Sequence, residues 1–141
     1  MEERTLCRDG LRGKPETEVL RLAQVLAMVD DLFFQSKIME TARHVGVDLK
    51  ICATPDALAA EISKATPHLV VVDLNARNQP LEAVQRTQSL AASVPLVGFL
   101  SHLQIDLAEQ ARAAGCSEVM ARSKFTKDLA TILARAKSES T

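Results

Sequence analysis

The sequence predicts a doubly wound α/β fold, in which one parallel sheet of five strands lies between two layers of helices. Short aliphatic runs without polar residues, such as residues 25–29 and 69–72, are typical of strands that are buried on both faces of a sheet. Stretches with apolar residues at helical spacing alternate with these runs. The connections between the two kinds of segment are short, as they are in β–α units.

The first elements have boundaries that the sequence marks. A strand at 25–29 precedes a helix that ends before Gly46, a residue type that favours helix termination. The second strand, 49–51, alternates apolar and polar residues and therefore resembles an edge strand. Thr54 and Pro55 then supply a capping hydroxyl and a first helical residue.

The second half of the chain continues the alternation. Its predicted elements are, in order, a strand at 68–73, a polar helix at 81–92, a strand at 96–100 opened by Pro95, a helix closed by Gly115, a short strand at 119–121 and a last helix with apolar positions at 129–136. Only the second strand alternates, which is typical of an edge strand. This pattern favours the strand order 2-1-3-4-5, because that order places the second strand at an edge. The same order places the first and third strands side by side.

Length and charge patterning predict one domain with two short extensions. Residues 1–21 are charged and broken by Gly and Pro, and we expect a mobile N-terminal arm there. Residues 22–137 form the predicted domain, and 138–141 form a C-terminal tail.

The composition excludes several classes of function. A net charge of −1, together with four Phe as the only aromatic residues, gives neither a basic surface nor a stacking platform for nucleic acid. We find no apolar stretch of membrane-spanning length, so we expect no membrane partner and a cytoplasmic location. The three cysteines, Cys7, Cys52 and Cys116, lack metal-site spacing and are interpreted as reduced thiols.

Three aspartates follow the two adjacent buried strands. Asp30 and Asp31 come directly after the first strand, and Asp73 ends the third. Adjacent parallel strands lie ~4.8 Å apart, so these carboxylates can converge at one edge of the sheet. Three converging carboxylates favour a hard divalent cation such as Mg²⁺ and leave one carboxylate as a candidate nucleophile.

Between residues 22 and 135 this arrangement resembles the flavodoxin-like receiver domain of bacterial response regulators. The resemblance is carried by the order and spacing of Asp30-Asp31, Asp73, Pro95 and Gly115, with Lys37 in the first helix. It implies a domain that is not an enzyme and whose acids hold Mg²⁺. A sensor histidine kinase or a phosphotransfer protein would donate a phosphoryl group to the aspartate of the third strand.

Residue by residue, the resemblance assigns these roles. Asp73 is the implied phosphoacceptor, and Asp30 and Asp31 bind the metal directly or through water. The backbone carbonyl of Asn75 is a further implied ligand.

Several positions depart from the receiver pattern. Leu100 stands where that family has a Ser or Thr that binds the phosphoryl group, and Ser101 follows it. Arg122-Ser123 replaces a Lys-Pro pair, so Arg122 is a candidate phosphate ligand or a counter-ion to the acids. Val119 stands where that family has the aromatic residue of its conformational switch. These departures affect the conformational switch more than metal binding.

Three hypotheses of function therefore remain open. The first is a single-domain receiver-like protein of two-component or phosphorelay signalling, with Asp73 as phosphoacceptor. The second is a pseudo-receiver that binds proteins without phosphorylation, and the third is a small metal-dependent phosphohydrolase. No P-loop, G-x-G-x-x-G motif or D-x-D motif after the first strand supports another phosphate-handling class.

Output would pass to an unidentified protein or to a second copy in a homodimer. We expect these contacts on the surface of the fourth helix, the fifth strand and the last helix, near Arg112 and Lys127.

Overall fold

The structure is a computed structural model that describes residues 22–101 and 104–139. Strands and helices alternate along these ranges. The strands are β1 (Gln24–Met28), β2 (Asp48–Cys52), β3 (Leu69–Asp73), β4 (Leu96–Leu100) and β5 (Glu118–Ala121). The helices are α1 (Leu32–Val45), α2 (Pro55–Lys64), α3 (Pro80–Leu90), α4 (Ile105–Ala114), α5 (Arg122–Lys127) and α6 (Leu129–Glu139).

The five strands form one parallel sheet in the order β2-β1-β3-β4-β5, and the predicted fold class is confirmed. β3 and β4 are buried along their whole length, whereas β2 alternates between exposed and partly buried residues, as predicted for the edge. The register pairs Val25 with Leu69 and Asp73 with Phe99. The carboxyl ends of β1, β3 and β4 therefore meet at one edge of the sheet.

Three helix boundaries lie at the residues from which the sequence predicts them. Gly46 ends α1 in the left-handed region with φ of 91°, and its N–H donates to the carbonyl of Ala42. The Thr54 hydroxyl accepts the N–H of Ala57 and caps α2. Gly115 ends α4 at φ of 136°, where a side chain would also collide with Gln88.

Each face of the sheet has its own hydrophobic layer. The layer under α1, α5 and α6 contains three packed aromatic rings: Phe99 and Phe125 stack at 4.4 Å between centroids, and Phe34 meets Phe99 at 5.3 Å, edge to face. The layer under α2, α3 and α4 is aliphatic, with residues such as Leu58 and Leu96. The aromatic layer reaches the carboxyl edge of the sheet and so lies beneath the acids.

The structure differs from the prediction after β5. The sequence predicts no element between the fifth strand and the last helix, yet Arg122–Lys127 forms a short helix, α5. Ala121 is extended at φ −68° and ψ 150°, so the chain turns into α5 directly from the strand. Arg122 therefore follows β5 directly and is at the same time the first residue of α5.

The predicted N-terminal arm, residues 1–21, lies outside the described residues, and the predicted domain limits stay predictions. No helix within the described ranges is both long enough and apolar enough to cross a membrane.

Candidate functional site

Asp73 lies at the carboxyl end of β3 and is 5% exposed. Its Oδ1 accepts the backbone N–H of Asn75 at 2.9 Å, which fixes the carboxylate against the loop after β3. Burial raises the pKa of Asp73 above the ordinary aspartate value. The Asn75 N–H and the charge of Arg122 act in the opposite direction on this pKa, while Asp30 and Asp31 raise it further.

Asp31 has two partners, one for each carboxylate oxygen. Oδ1 caps α1 by accepting the N–H groups of Phe33 at 2.9 Å and of Phe34 at 3.3 Å. Oδ2 pairs with Nη2 of Arg122 at 3.1 Å. The Phe34 N–H is the largest cause that lowers the pKa of Asp31, and Phe33 and Arg122 lower it further. Asp31 therefore belongs to the helix cap and to an ion pair at the same time.

Asp30 ties the loop after β1 to the loop after β3. Its Oδ2 accepts the backbone N–H of Arg77 at 2.8 Å, across a separation of 47 residues. The three predicted acids thus lie at one edge of the sheet, each with a hydrogen bond to the backbone.

Arg122 enters this acidic edge from β5. Its guanidinium lies 4.3 Å from the centroid of the buried Phe34 ring and 5.9 Å from that of Phe99, while Nη2 binds Asp31. A guanidinium can stack on a ring face and donate to a carboxylate in one geometry, which an ammonium cannot do equally well. Its charge lowers the pKa values of both Asp31 and Asp73. Lys124, the next cationic residue in the sequence, instead pairs with Asp128 at 3.0 Å.

The end of β4 contributes backbone and apolar groups to the edge. Leu100 is buried in the aliphatic layer, and the exposed Ser101 donates its backbone N–H to Oδ1 of Asn75. Nδ2 of Asn75 donates to Oε1 of Gln104 at 2.8 Å. The Asn75 side chain therefore joins the loops after β3 and β4. Val119, at the position of the family's aromatic switch, is partly buried against the aliphatic layer.

The structure brings together the acids, Arg122, Asn75 and Ser101, the residues that the sequence singles out. Sequence reasoning misses Arg77 and Gln104, because each acts at a loop position that no periodic pattern marks. Of the two adjacent phenylalanines at the start of α1, Phe34 is buried and Phe33 is 90% exposed. The hydrophobic pattern of the sequence does not indicate that the guanidinium of Arg122 lies over the Phe34 ring.

The donor set does not fit a divalent cation in this arrangement. Within the described part of the chain, no group of three or more His, Cys, Asp or Glu side chains is placed to hold a metal ion. Both oxygens of Asp31 already have partners, and Asp30 and Asp73 each accept a backbone N–H. Magnesium binding by Asp30, Asp31, Asp73 and Asn75 stays a prediction that this geometry does not support.

Comparison with solved structures gives the fold of response-regulator receiver domains. NtrX from Brucella abortus, solved in complex with ADP, matches 84% of this chain at 20% identity and a TM-score of 0.71. Chemotaxis protein CheY4 from Vibrio cholerae matches 82% of it at 20% identity and 0.71. A CheY-like receiver domain from Methanospirillum hungatei matches 84% of it at 15% identity and 0.70.

The extent of these matches differs between the solved chains. The chain spans 98% of the Vibrio and Methanospirillum chains but only 28% of the NtrX chain. No protein-family model matches the sequence, and the search of curated proteins gives no match.

Proposed function

We propose that the protein is a receiver-like signalling module of the two-component or phosphorelay type, which acts as a pseudo-receiver through protein contacts rather than as an enzyme. The receiver fold supports the signalling class. The pairing of Arg122 with Asp31 supports the mode of action, because the acidic edge has a cation of its own.

The chemistry of phosphorylation explains why this pairing favours the pseudo-receiver. Attack of Asp73 on phosphorus would add negative charge beside Asp30 and Asp31, and that charge needs cations and hydrogen-bond donors. The guanidinium of Arg122 is engaged by Asp31, and Leu100 offers no hydroxyl. A missing charge-assisted hydrogen bond costs roughly 1.5–3 kcal/mol.

The second candidate is a phosphoacceptor domain, with Asp73 modified by a sensor histidine kinase or a phosphotransfer protein. One observation favours it: Asp73 ends the central strand β3, beside two further acids and within electrostatic reach of Arg122. Ser101 is the nearest hydroxyl-bearing residue after β4. The magnesium requirement implied by the receiver resemblance belongs to this candidate.

Intact-mass measurement after incubation with acetyl phosphate and MgCl₂ separates the two candidates. A receiver domain with the full set of hydroxyl and lysine residues serves as the positive control. The matched variants are Asp73→Asn and Asp48→Asn, since Asp48 lies on the edge strand β2 and its carboxylate accepts the side-chain amide of Gln24 at 3.0 Å.

We expect the parent and both variants to keep their masses while the positive control gains a phosphoryl group. One added phosphoryl group in the parent and in Asp48→Asn, but not in Asp73→Asn, would establish the phosphoacceptor instead.

The output surface is part of the same proposal. The predicted surface of α4, β5 and α6 would contact either an output protein or a second copy of the chain, and the exposed side chains of Arg112 and Lys127 lie on or beside it.

A further inference from the structure

We infer that Arg122 serves as the built-in counter-cation of the acidic edge, in the role that a divalent cation has in the domains that this chain resembles. This role of Arg122 deepens the proposed function and rests on it. A phosphorylated Asp73 would refute the pseudo-receiver and would leave the charge role of Arg122 to a separate measurement.

The guanidinium of Arg122 is held on three sides. Nη2 binds Asp31 at 3.1 Å, and the guanidinium carbon lies 4.3 Å above the Phe34 ring and 5.9 Å from the Phe99 ring. The Arg122 backbone is fixed as well, because its carbonyl accepts the hydroxyl of Thr126 at 2.8 Å. A side chain held in this way loses little further freedom when it acts as a charge partner.

Both oxygens of Asp31 and one oxygen each of Asp30 and Asp73 have hydrogen-bond partners in the protein. The cap of α1 uses Oδ1 of Asp31, the Arg77 N–H uses Oδ2 of Asp30, and the Asn75 N–H uses Oδ1 of Asp73. Mg²⁺ demands near-octahedral oxygen ligands at 2.0–2.1 Å. A magnesium ion that used Oδ2 of Asp31 would have to displace Arg122, so the two cations compete for one oxygen.

The position of Arg122 in the fold makes this pairing specific. The short helix α5 begins at Arg122 itself, which places the side chain over the aromatic layer rather than over solvent. Phe34 lies three residues after Asp31 on the first turn of α1, so one turn of helix presents both the ring and the carboxylate to the guanidinium.

Thermal unfolding in MgCl₂, MnCl₂ and NaCl of equal ionic strength tests the inference. The variants are Arg122→Met, which keeps a long apolar side chain on the ring but removes the charge, and Arg122→Lys, which keeps the charge. The matched control is Arg135→Met, since Arg135 also makes one ion pair, with Glu118 at 2.5 Å, away from the acids. A cycle of Asp31→Asn, Arg122→Met and the double variant measures the coupling of the two side chains.

We expect no saturable rise of the melting temperature of the parent with either metal. Arg122→Met lowers the melting temperature most at low salt, Arg122→Lys lowers it less, and Arg135→Met lowers it less than Arg122→Met does. In the Asp31→Asn background the loss caused by Arg122→Met shrinks. A saturable metal-dependent rise in the parent that Asp73→Asn abolishes would overturn the inference. So would an Arg122→Met melting temperature equal to that of the parent at low salt, or no coupling in the cycle.

Discussion

The two halves of the carboxyl edge of the sheet have different characters. The half formed by the ends of β1 and β3 is polar, and Asp30, Asp31 and Asp73 bond there to backbone N–H groups. The half formed by the ends of β4 and β5 is largely apolar, with Leu100 buried and Arg122 lying on the aromatic layer. One half thus keeps the acids that the receiver pattern implies, while the other lacks the hydroxyl and the aromatic residue of its switch.

This difference shows that the fold and the chemistry of the site are set separately. The strand order 2-1-3-4-5 places β1 beside β3, so the acids that follow these two parallel strands lie close together. What these acids can do depends on the cations and donors that the neighbouring strands supply. Here Arg122, directly after β5, supplies a guanidinium that is already paired with Asp31.

The largest expected effect tests the structural role of the β4–β5 half. Phe99→Ala removes a fully buried ring that contacts both Phe34 and Phe125, and large-to-small changes of this kind cost about 3–5 kcal/mol. Phe33→Ala is the matched control, because that ring is 90% exposed and its loss should change stability by no more than about 0.5 kcal/mol. Urea unfolding gives both free energies, and equal losses would contradict the assignment of the aromatic layer as the core beneath the site.

The acidic half was the more predictable one from sequence. Its residues end aliphatic runs, and period, strand order and strand spacing place Asp30, Asp31 and Asp73 without knowledge of side-chain directions. The burial of β3 and the edge position of β2 follow from the same patterns.

The β4–β5 half could not be predicted in the same way. Helical spacing marks Phe34, Ile38 and Ala42 as the buried positions of α1, but it does not indicate that the side chain of Arg122 lies on the Phe34 ring. The direct turn from Ala121 into α5 decides where Arg122 points, and a six-residue helix carries too few residues for a periodic signal. Arg77 and Gln104 lie in loops and bind partners that are 47 and 29 residues away in the sequence, which no periodic pattern indicates.

A smaller effect distinguishes two acids within the polar half. Asp31→Asn keeps a good capping residue but loses the charge that pairs with Arg122, so its melting temperature at neutral pH should fall. Asp73→Asn removes a buried charge beside two other acids, so its melting temperature should rise. Equal changes of one sign would contradict the distinction between a paired and an unfavourably buried carboxylate.

The melting temperatures of Asp31→Asn and Asp73→Asn differ from that of the parent in a pH-dependent way, and the cause is opposite for the two variants. Because the pKa of Asp31 is lowered in the folded state, its contribution is present above the ordinary aspartate pKa and is lost as the pH falls through the lowered value. Because the pKa of Asp73 is raised, its penalty is full above the raised value and disappears as the pH falls to the ordinary value. Melting curves across the acidic range should therefore show both variants converging on the parent.

The pH titration of the aspartate side-chain carboxyl carbons by ¹³C NMR, in the parent and in Arg122→Met, tests the counter-cation role of Arg122 most directly. In the parent we expect the pKa of Asp31 below, and that of Asp73 above, the ordinary value of an aspartate. Arg122→Met should raise both pKa values, because one guanidinium acts on both carboxylates. Both pKa values unchanged in Arg122→Met, or an Asp73 that titrates at or below the ordinary value in the parent, would contradict the account.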